Sequence, residues 1–390
     1  MNKIEKLIAE LCPEGVEWKD VEILIDSKIM STITPPSKLT KNFYQETGTF
    51  PIIDQGQNYI VGYTDDEDLV VSEGVYVIFG DHTEVFKYVD FSFAQGADGV
   101  KIITTNHEVL MPRYLFYTLC NYYIKTGKYT RHFSFLKKTS IPIPPLSIQQ
   151  EIVSILDKFT TLEAELEAEL EARTRQYDYY RNQLFSFEGK EVEWKMLGEI
   201  GKFIRGKRFV KNDIISEGVP CIHYGEMYTY YKIWTKKAKS YLEPTLAAKL
   251  RVAQPGDVII VTAGETIEDI GNAVAWLGDS DVVIHDACFA FSHNLNPKFV
   301  SYFLRTDLFR SQIKKYISSG KISSIHAAGL SKAKIPIPPL SEQERIVSIL
   351  DKFDALVNDI SVGLPAEISA RRKQYEYYRG KLLNFKNVTN

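Results

Sequence analysis

The stretch IPIPPLSIQQEIVSILDKF at 141–159 returns at 335–353 as IPIPPLSEQERIVSILDKF, identical at sixteen of nineteen positions. Agreement of that extent marks a duplicated structural unit. Downstream, RQYDYYRNQL at 175–184 returns as KQYEYYRGKL at 373–382. Upstream, Gly15-Val16-Glu17-Trp18-Lys19 is matched by Glu191-Val192-Glu193-Trp194-Lys195. Between these borders lie two variable stretches, roughly 18–140 and 194–334, with little visible sequence in common. The offset between copies grows from 176 at Trp18/Trp194 to 194 at Ile141/Ile335 and 198 at Tyr177/Tyr375, so the second copy is the longer. Near-constant connectors around divergent stretches imply a fixed scaffold carrying changeable surfaces.

The connectors have a physical reading. Pro142, Pro144 and Pro145 are expected to stop a strand and hold an extended, polyproline-like segment. Ser147 with Gln150, and Ser341 with Glu344, read as capping boxes that start a helix in each copy. In the first, Ile148, Ile152, Ile155, Phe159, Leu162, Leu166, Leu170, Tyr177, Tyr180, Leu184 and Phe187 recur mostly at alternating fours and threes. That is a coiled-coil seam about 40 residues, or ~60 Å, long. The second keeps the seam at Ile346, Ile349, Phe353, Leu356, Ile360, Ile368, Tyr375, Tyr378 and Leu382, with Gly363 and Pro365 placed to interrupt it. A long helix with one apolar stripe needs a partner, and the expected partner is its repeat. The seams 152/159/166 and 346/353/360 are expected to face each other in antiparallel fashion.

Composition sets the outer limits. The chain has 390 residues, 44% apolar and 25% charged, with a net charge of −3. This is globular composition, and ~100–200 residues per domain predicts two domains or slightly more. No apolar run approaches the ~20 residues of a membrane span. The charged start, Met1-Asn2-Lys3-Ile4-Glu5-Lys6, lacks a secretory core. Cys12, Cys120, Cys221 and Cys288 are scattered and read as reduced thiols of a cytoplasmic protein. Residues 147–187 carry eight acids against four bases, so the rest of the chain is slightly basic. The run Glu163, Glu165, Glu167, Glu169, Glu171 reads as a solvated helix face.

Both variable stretches read as mixed α/β. Strands are expected at 70–71, 75–79, 100–103, 258–261 and 282–284, and aromatic-rich helices at 113–123 and 298–315. Polar, basic loops then gather. Lys128, Tyr129, Arg131 and His132 lie just before the first IPIPPL, and Lys321, Ser323, Ser324 and His326 just before the second. Arg205, Lys207 and Arg208 form another basic loop, and His82 and Thr83 follow a predicted strand. Lys and Arg among Tyr, Ser and Thr on glycine-containing loops suit phosphate contacts and base-edge hydrogen bonds.

Enzyme signatures are missing from the sequence. His285 and Cys288 have metal-ligand spacing but lack a second pair. Glu17-Trp18-Lys19 and Glu193-Trp194-Lys195 match a nuclease fragment without its acidic partner. Asn296-Pro297-Lys298-Phe299 lacks the second proline of an amino-methyltransferase motif, and there is no GxxxxGK[ST] loop.

The twice-present IPIPPL unit with its capping Ser, IVSILDKF and QYxYYR resembles the specificity (S) subunit of type I restriction–modification systems. FGDHT at 79–83, FAQGADGVKI at 93–102 and GETIEDIG at 264–271 also look like target recognition segments of that family. One departure is visible: Glu84 stands where the family often carries Arg, which argues against base reading there.

The resemblance implies an α+β protein with a pseudo-two-fold repeat, two mixed α/β target recognition domains separated by long helices that pair as an antiparallel coiled coil. The expected division is an N-terminal helical segment at 1–17, domains at 18–146 and 188–340, connectors at 147–187 and 341–385, and a tail at 386–390. Each domain would read half of an asymmetric bipartite site on double-stranded DNA, through the loop residues named above. The helices, with Tyr177, Tyr180, Tyr375 and Tyr378 among their seam residues, would set the gap and dock two methyltransferase (M) subunits. Those subunits would bind S-adenosylmethionine; this chain would hold no cofactor, no metal and no catalytic residue. Restriction (R) subunits can join such a complex. The alternative is a coiled-coil adaptor that never touches DNA, against which the matched basic loops speak.

Overall fold

The computed structural model describes residues 3–96 and 98–388. Thr389 and Asn390 of the expected tail, and Ala97 within FAQGADGVKI, lie outside the described residues. The chain forms two compact units, Met1–Leu166 with Ile368–Asn390, and Glu167–Glu367. Each unit therefore takes one variable stretch together with part of both connectors. Among the described residues no helix is long and apolar enough to cross a membrane.

The variable stretches share a strand order that their sequences hide. In the first unit one sheet runs Met30–Ile33, Val100–Thr105, Tyr76–Gly80, Phe86–Val89, all antiparallel. In the second the order is Gly201–Arg205, Cys288–His293, Val258–Val261, Ala273–Trp276, with Trp234–Thr235 added at the edge. A second sheet is built around a parallel pair in each: Phe50–Ile53 with Phe93–Gly96, and Val219–Ile222 with Val282–Ile284. The central strands Tyr76–Gly80 and Val258–Val261 are buried at every residue, as expected of apolar, β-branched runs covered on both faces. The predicted helix at 298–315 is two helices, Pro297–Phe303 and Asp307–Lys314, the second started by Thr306, whose hydroxyl accepts from the Phe309 N–H.

The borders fold differently from the expectation of a proline-stopped strand. Ser140–Ile143 pairs antiparallel with Glu17–Asp20, setting Trp18 opposite Pro142. Lys334–Ile337 pairs with Glu193–Met196 in the same register, Trp194 opposite Pro336. A two-stranded ribbon has a free edge on each strand, where a proline without an N–H is tolerated. Each variable stretch is thus closed at its base by a clasp made of its own two borders.

The capping boxes are also replaced. The helix Leu340–Asn358 begins at an N-cap Pro339 without a side-chain cap. Instead, Gln343 is buried; its amide donates to the Pro338 carbonyl at 2.9 Å and accepts the Asn296 N–H at 2.9 Å. Gln149, equally buried, donates to Pro144 and Val109 carbonyls and accepts the Met111 N–H at 2.9 Å. About two turns further along each helix, Asp157 takes Arg113 Nε at 2.7 Å and the Tyr117 hydroxyl, and Asp351 takes Lys298 Nζ and the Tyr302 hydroxyl, both at 2.7 Å. Both repeats thereby fix the helix of their own variable stretch with the same two side chains.

The connector Leu146–Ser186 is a single helix of 41 residues, and the second is broken between Leu340–Asn358 and Leu364–Leu383, as Gly363 and Pro365 predict. In the first unit Phe159 packs on Tyr375 and Tyr378, with Glu163 beside Arg372, so the two helices run antiparallel. In the second, Phe353 stacks on Tyr177 and Tyr180, and the Tyr177 hydroxyl donates to Asp354. The expected facing of 152/159/166 on 346/353/360 is corrected: the IVSILDKF half of one copy meets the QYxYYR half of the other. Antiparallel helices bring the start of one against the end of the other, so equivalent residues do not meet. Ile152 and Ile346 enter the cores of their own units, Leu166 is half-buried, and Ile360, in the helix break, is 86% exposed.

Candidate nucleic-acid interface

In the first unit the central strand ends at Gly80, and the turn that follows holds a loop in place. Asp81 is buried and its Oδ1 accepts the N–H groups of His132 at 2.8 Å and Phe133 at 2.7 Å. Glu84 is buried at φ 56°, a left-handed conformation that costs a non-glycine residue about 1–3 kcal/mol and persists where the surroundings fix it. They do: its carboxylate accepts from the Tyr123 hydroxyl at 2.8 Å and the N–H groups of Thr126 at 2.7 Å and Gly127 at 3.0 Å, and lies 3.2 Å from His132 Nδ1. Burial opposes the charge, but the Thr126 and Gly127 N–H groups, Tyr123 and His132 outweigh it and leave the carboxyl below its ordinary pKa.

His132 is corrected from a DNA reader to an internal strut. It is 0% exposed, with Nε2 2.7 Å from the Lys128 carbonyl. Pinned at both ends, the loop lifts Lys128, Tyr129 and Arg131 into solvent. Tyr129 is 90% exposed, its ring stacked on His82 at 5.4 Å. His82 is set in turn: its N–H donates to Gln55 Oε1 at 3.1 Å, and Nδ1 lies 3.1 Å from the Thr130 carbonyl. Because a carbonyl only accepts, Nδ1 carries the proton, and Nε2 of the neutral ring is an acceptor. Thr83 is exposed and donates to the Gln55 carbonyl. Gly99, at φ 85°, leaves the room that Gln55 and His82 need; a Cβ there would sit 2.6 Å from Gln55 Oε1 and 2.8 Å from His82 Cδ2.

The second unit solves the same place differently. The parallel pairing Cys221↔Val283 and Ile222↔Ile284 delivers the next residues, His223 and His285, side by side, with ring centroids 4.7 Å apart. Phe209 and Tyr224 pack edge-on or tilted against both rings. Gly206 permits this approach: a Cβ on it would lie 2.2 Å from the His285 carbonyl oxygen. The rings line an open cavity of 870 Å³, whose walls include Arg208, Lys211 and Lys321, with Glu265 and Asp286 as its carboxylates. Burial holds the pKa values of both His223 and His285 below the ordinary histidine value.

The remaining expected residues divide. Arg205 and Lys207 are exposed, donating to the Asp286 carbonyl at 3.0 Å and the Lys249 carbonyl at 2.8 Å. His326 is exposed and Ser324 half-buried. Ser323 is corrected from a reader to a buried ribbon residue, paired through its backbone with Gly264. The matched position of the two loops holds at the backbone. The His132 N–H donates to the Asp81 carbonyl at 2.8 Å, and the Ile325 N–H to the Thr262 carbonyl at 2.9 Å, each just beyond the central strand. Gln55, Glu84, His223, Tyr224 and His285 were missed from sequence. Only the FGDHT context pointed near Glu84, and nothing in the linear sequence brings residue 223 to 285.

The connectors carry a second duplicated feature. Tyr179 and Tyr377 are exposed, each edge-on to Tyr180 or Tyr378. Behind them Arg181 and Arg379 lie over Tyr177 and Tyr375, each 5.2 Å from the ring centroid.

Comparison with known proteins agrees with this architecture. The family described as the type I restriction modification DNA specificity domain matches residues 28–172 and again 189–370. The chain is 35% identical to the type I restriction enzyme EcoR124I/EcoR124II specificity subunit of Escherichia coli, over 99% of this chain and 97% of that one. It is 32% identical to a putative type I restriction enzyme specificity subunit of Haemophilus influenzae, over 98% of each. The fold is similar to the crystal structure of a type I restriction–modification S subunit from M. genitalium, with TM-score 0.54 at 15% identity, covering 95% of this chain and 96% of that one. A chain from a structural study of type I complex assembly gives TM-score 0.59 at 17% identity, covering 95% and 98%. With two copies of the family's domain and full-length similarity to its members, this chain belongs to the type I restriction–modification DNA specificity subunits.

Proposed function

We propose that each unit reads one half of an asymmetric bipartite site on double-stranded DNA. The first unit reads through the loop 126–132 with His82 and Thr83, and the second through the cavity bordered by Arg208, Lys211 and Lys321. The observation that carries this reading is the same backbone bond between turn and basic loop in both units, decorated by different side chains. Such a design gives two readers with one frame and unlike preferences, hence an asymmetric target. The chain performs no chemistry. Two copies of one S-adenosylmethionine-dependent adenine methyltransferase (M) dock on the connectors, a stoichiometry supported by the duplicated tyrosine pairs at 179/180 and 377/378. Restriction (R) subunits join that cytoplasmic complex, and the connector length sets the unread gap.

The test is binding by the purified chain to duplex DNA across a salt series, followed by methyl transfer with and without the M partner. Affinity should fall steeply with salt, with a log–log slope of about −0.9 per phosphate contacted. Methyl transfer should require the partner. Absence of binding at low salt would return the adaptor reading, and methyl transfer by the chain alone would overturn the division of labour.

A further inference from the structure

The two histidines that line the cavity of the second unit, His223 and His285, are not equivalent. His285 is 8% exposed, and its Nδ1 accepts the Ala287 N–H at 3.1 Å while Asp286 Oδ1 stands 3.1 Å away. It is built into the wall. His223 is half-buried and lines the cavity, and its Nδ1 accepts the Gly225 N–H at 3.3 Å. An Nδ1 that accepts has no proton, so the neutral ring carries it on Nε2. The His223 backbone is fixed independently, its N–H donating to Glu226 Oε2 at 3.1 Å, and Glu226 is itself buried and bonded by the Ser240 hydroxyl. The result is a fixed ring with its proton on Nε2, flanked by the Tyr224 ring, lining an open cavity with cations at its border.

We propose that His223 is a specificity-determining residue of the second unit, its Nε2–H donating to a purine N7 on a base edge in the major groove. The proposal rests on the DNA-reading function given above and adds the residue and the atom. Major-groove purine edges present acceptors at N7, and guanine a second at O6. The surrounding Arg208, Lys211 and Lys321 are suited to phosphates, which position a reader without informing it. Burial, with the Lys211 ammonium nearby, favours the neutral ring against the pull of Glu226 and Asp286, so the donor is present at neutral pH.

The test begins with selection of duplexes from a randomised pool by the full-length chain, which defines both halves of the site. Each purine of the second half is then replaced in turn by its 7-deaza analogue. The wild-type chain should lose affinity at one purine by about fivefold or more, the lower end of what a base-edge contact supplies. His223→Ala should bind the parent and that deaza duplex alike, and His223→Gln, which keeps an N–H donor, should restore part of the difference. The first half of the selected site should not change in either variant. Equal deaza sensitivity in wild type and His223→Ala, or a loss in His223→Ala that is uniform over all sequences, would overturn the assignment. Lys321→Ala separates this failure from that of the broader reading. If it lowers affinity and the salt slope while His223→Ala changes nothing, the face binds DNA and His223 is not its reader. If neither variant alters binding, this face of the second unit is not the interface.

Discussion

The two reading faces begin at the same point of the same strand order and then part. In the first unit the turn after the central strand supplies two buried carboxylates, Asp81 and Glu84, which hold the basic loop from beneath. In the second, the corresponding Thr262 and Ala263 reach the basic loop through backbone bonds alone, the Thr262 hydroxyl donating instead to the Ala287 carbonyl at 3.0 Å, and the rings of His223, His285, Phe209 and Tyr224 line the space. The first face is a raised, pinned loop crowned by Tyr129; the second is a concavity. Even their histidines differ in sense, His82 offering an acceptor at Nε2 and His223 a donor. The lesson is that the scaffold is secured by backbone ladders and by the repeated Gln149/Gln343 and Asp157/Asp351 contacts. None of those contacts involves the side chains proposed to read DNA, which are therefore free to vary.

The largest expected difference between the units follows from Glu84. Glu84→Ala leaves the Tyr123 hydroxyl, two backbone N–H groups and His132 facing an emptied, buried position. Removing one partner from such a cluster costs about 3–5 kcal/mol. Thermal unfolding and hydrogen exchange at 126–132 should both show it. Glu265→Ala, exposed in the second unit, should change stability by less than about 0.5 kcal/mol. Equal losses would break the contrast between a carboxylate-held and a backbone-held face.

The scaffold should respond alike in both units. Asp157→Ala and Asp351→Ala each remove a charge-assisted bond and a tyrosine bond, worth about 1.5–3 kcal/mol together at these partly exposed positions. Hydrogen exchange should rise in 112–122 for the first and in 297–303 for the second. A large effect in one unit and none in the other would mean that the duplicated contact is a duplicated sequence only.

Acid pH sharpens the comparison by a smaller amount. The folded pKa of Glu84 is lowered, so its stabilising contribution is complete above the ordinary glutamate value of about 4.3. It is lost as pH falls through the lowered value. Protection factors at 126–132, taken relative to the intrinsic exchange rate at each pH, should therefore fall on acidification, and Glu84→Gln should remove that part of the pH dependence. Arg131→Ala is expected to act least, reducing affinity similarly for all sequences and lowering the salt slope by about one unit. A loss confined to one base position would assign Arg131 to a base edge instead, and no effect would take the loop out of the interface.

Much of this organisation was legible because repetition is a property of the linear chain. The helical connectors, the break at Gly363 and Pro365, the strands at 70–71, 100–103, 258–261 and 282–284, and the matched basic loops follow from pattern and residue chemistry. What escaped depends on partners far away in sequence. Pro142 looks like a strand breaker until Glu17–Asp20 supplies a ladder that does not need its N–H. Gln149 and Gln343 look like surface residues of a helix start, yet each is buried against distant backbone, Gln149 on Val109 and Met111 and Gln343 on Asn296. His132 shares a polar, glycine-containing loop with Arg131 and was read as exposed for that reason; the carboxylate that draws it inside is 48 positions earlier. The apolar seam specifies a partner helix and its direction but not its register, which depends on where each helix begins on its own unit.

The central claim is that two independent readers stand on one constant scaffold. Replacing residues 18–140, whose ends fall within the Glu17–Asp20 and Ser140–Ile143 clasp, by the matching region of a related subunit tests it most directly, with methylated adenines mapped genome-wide in cells that express the chimera and the M partner. One half of the methylated motif should change while the other half and the gap between them stay as they were. A chimera that is active and alters both halves, or alters the gap, would contradict the account.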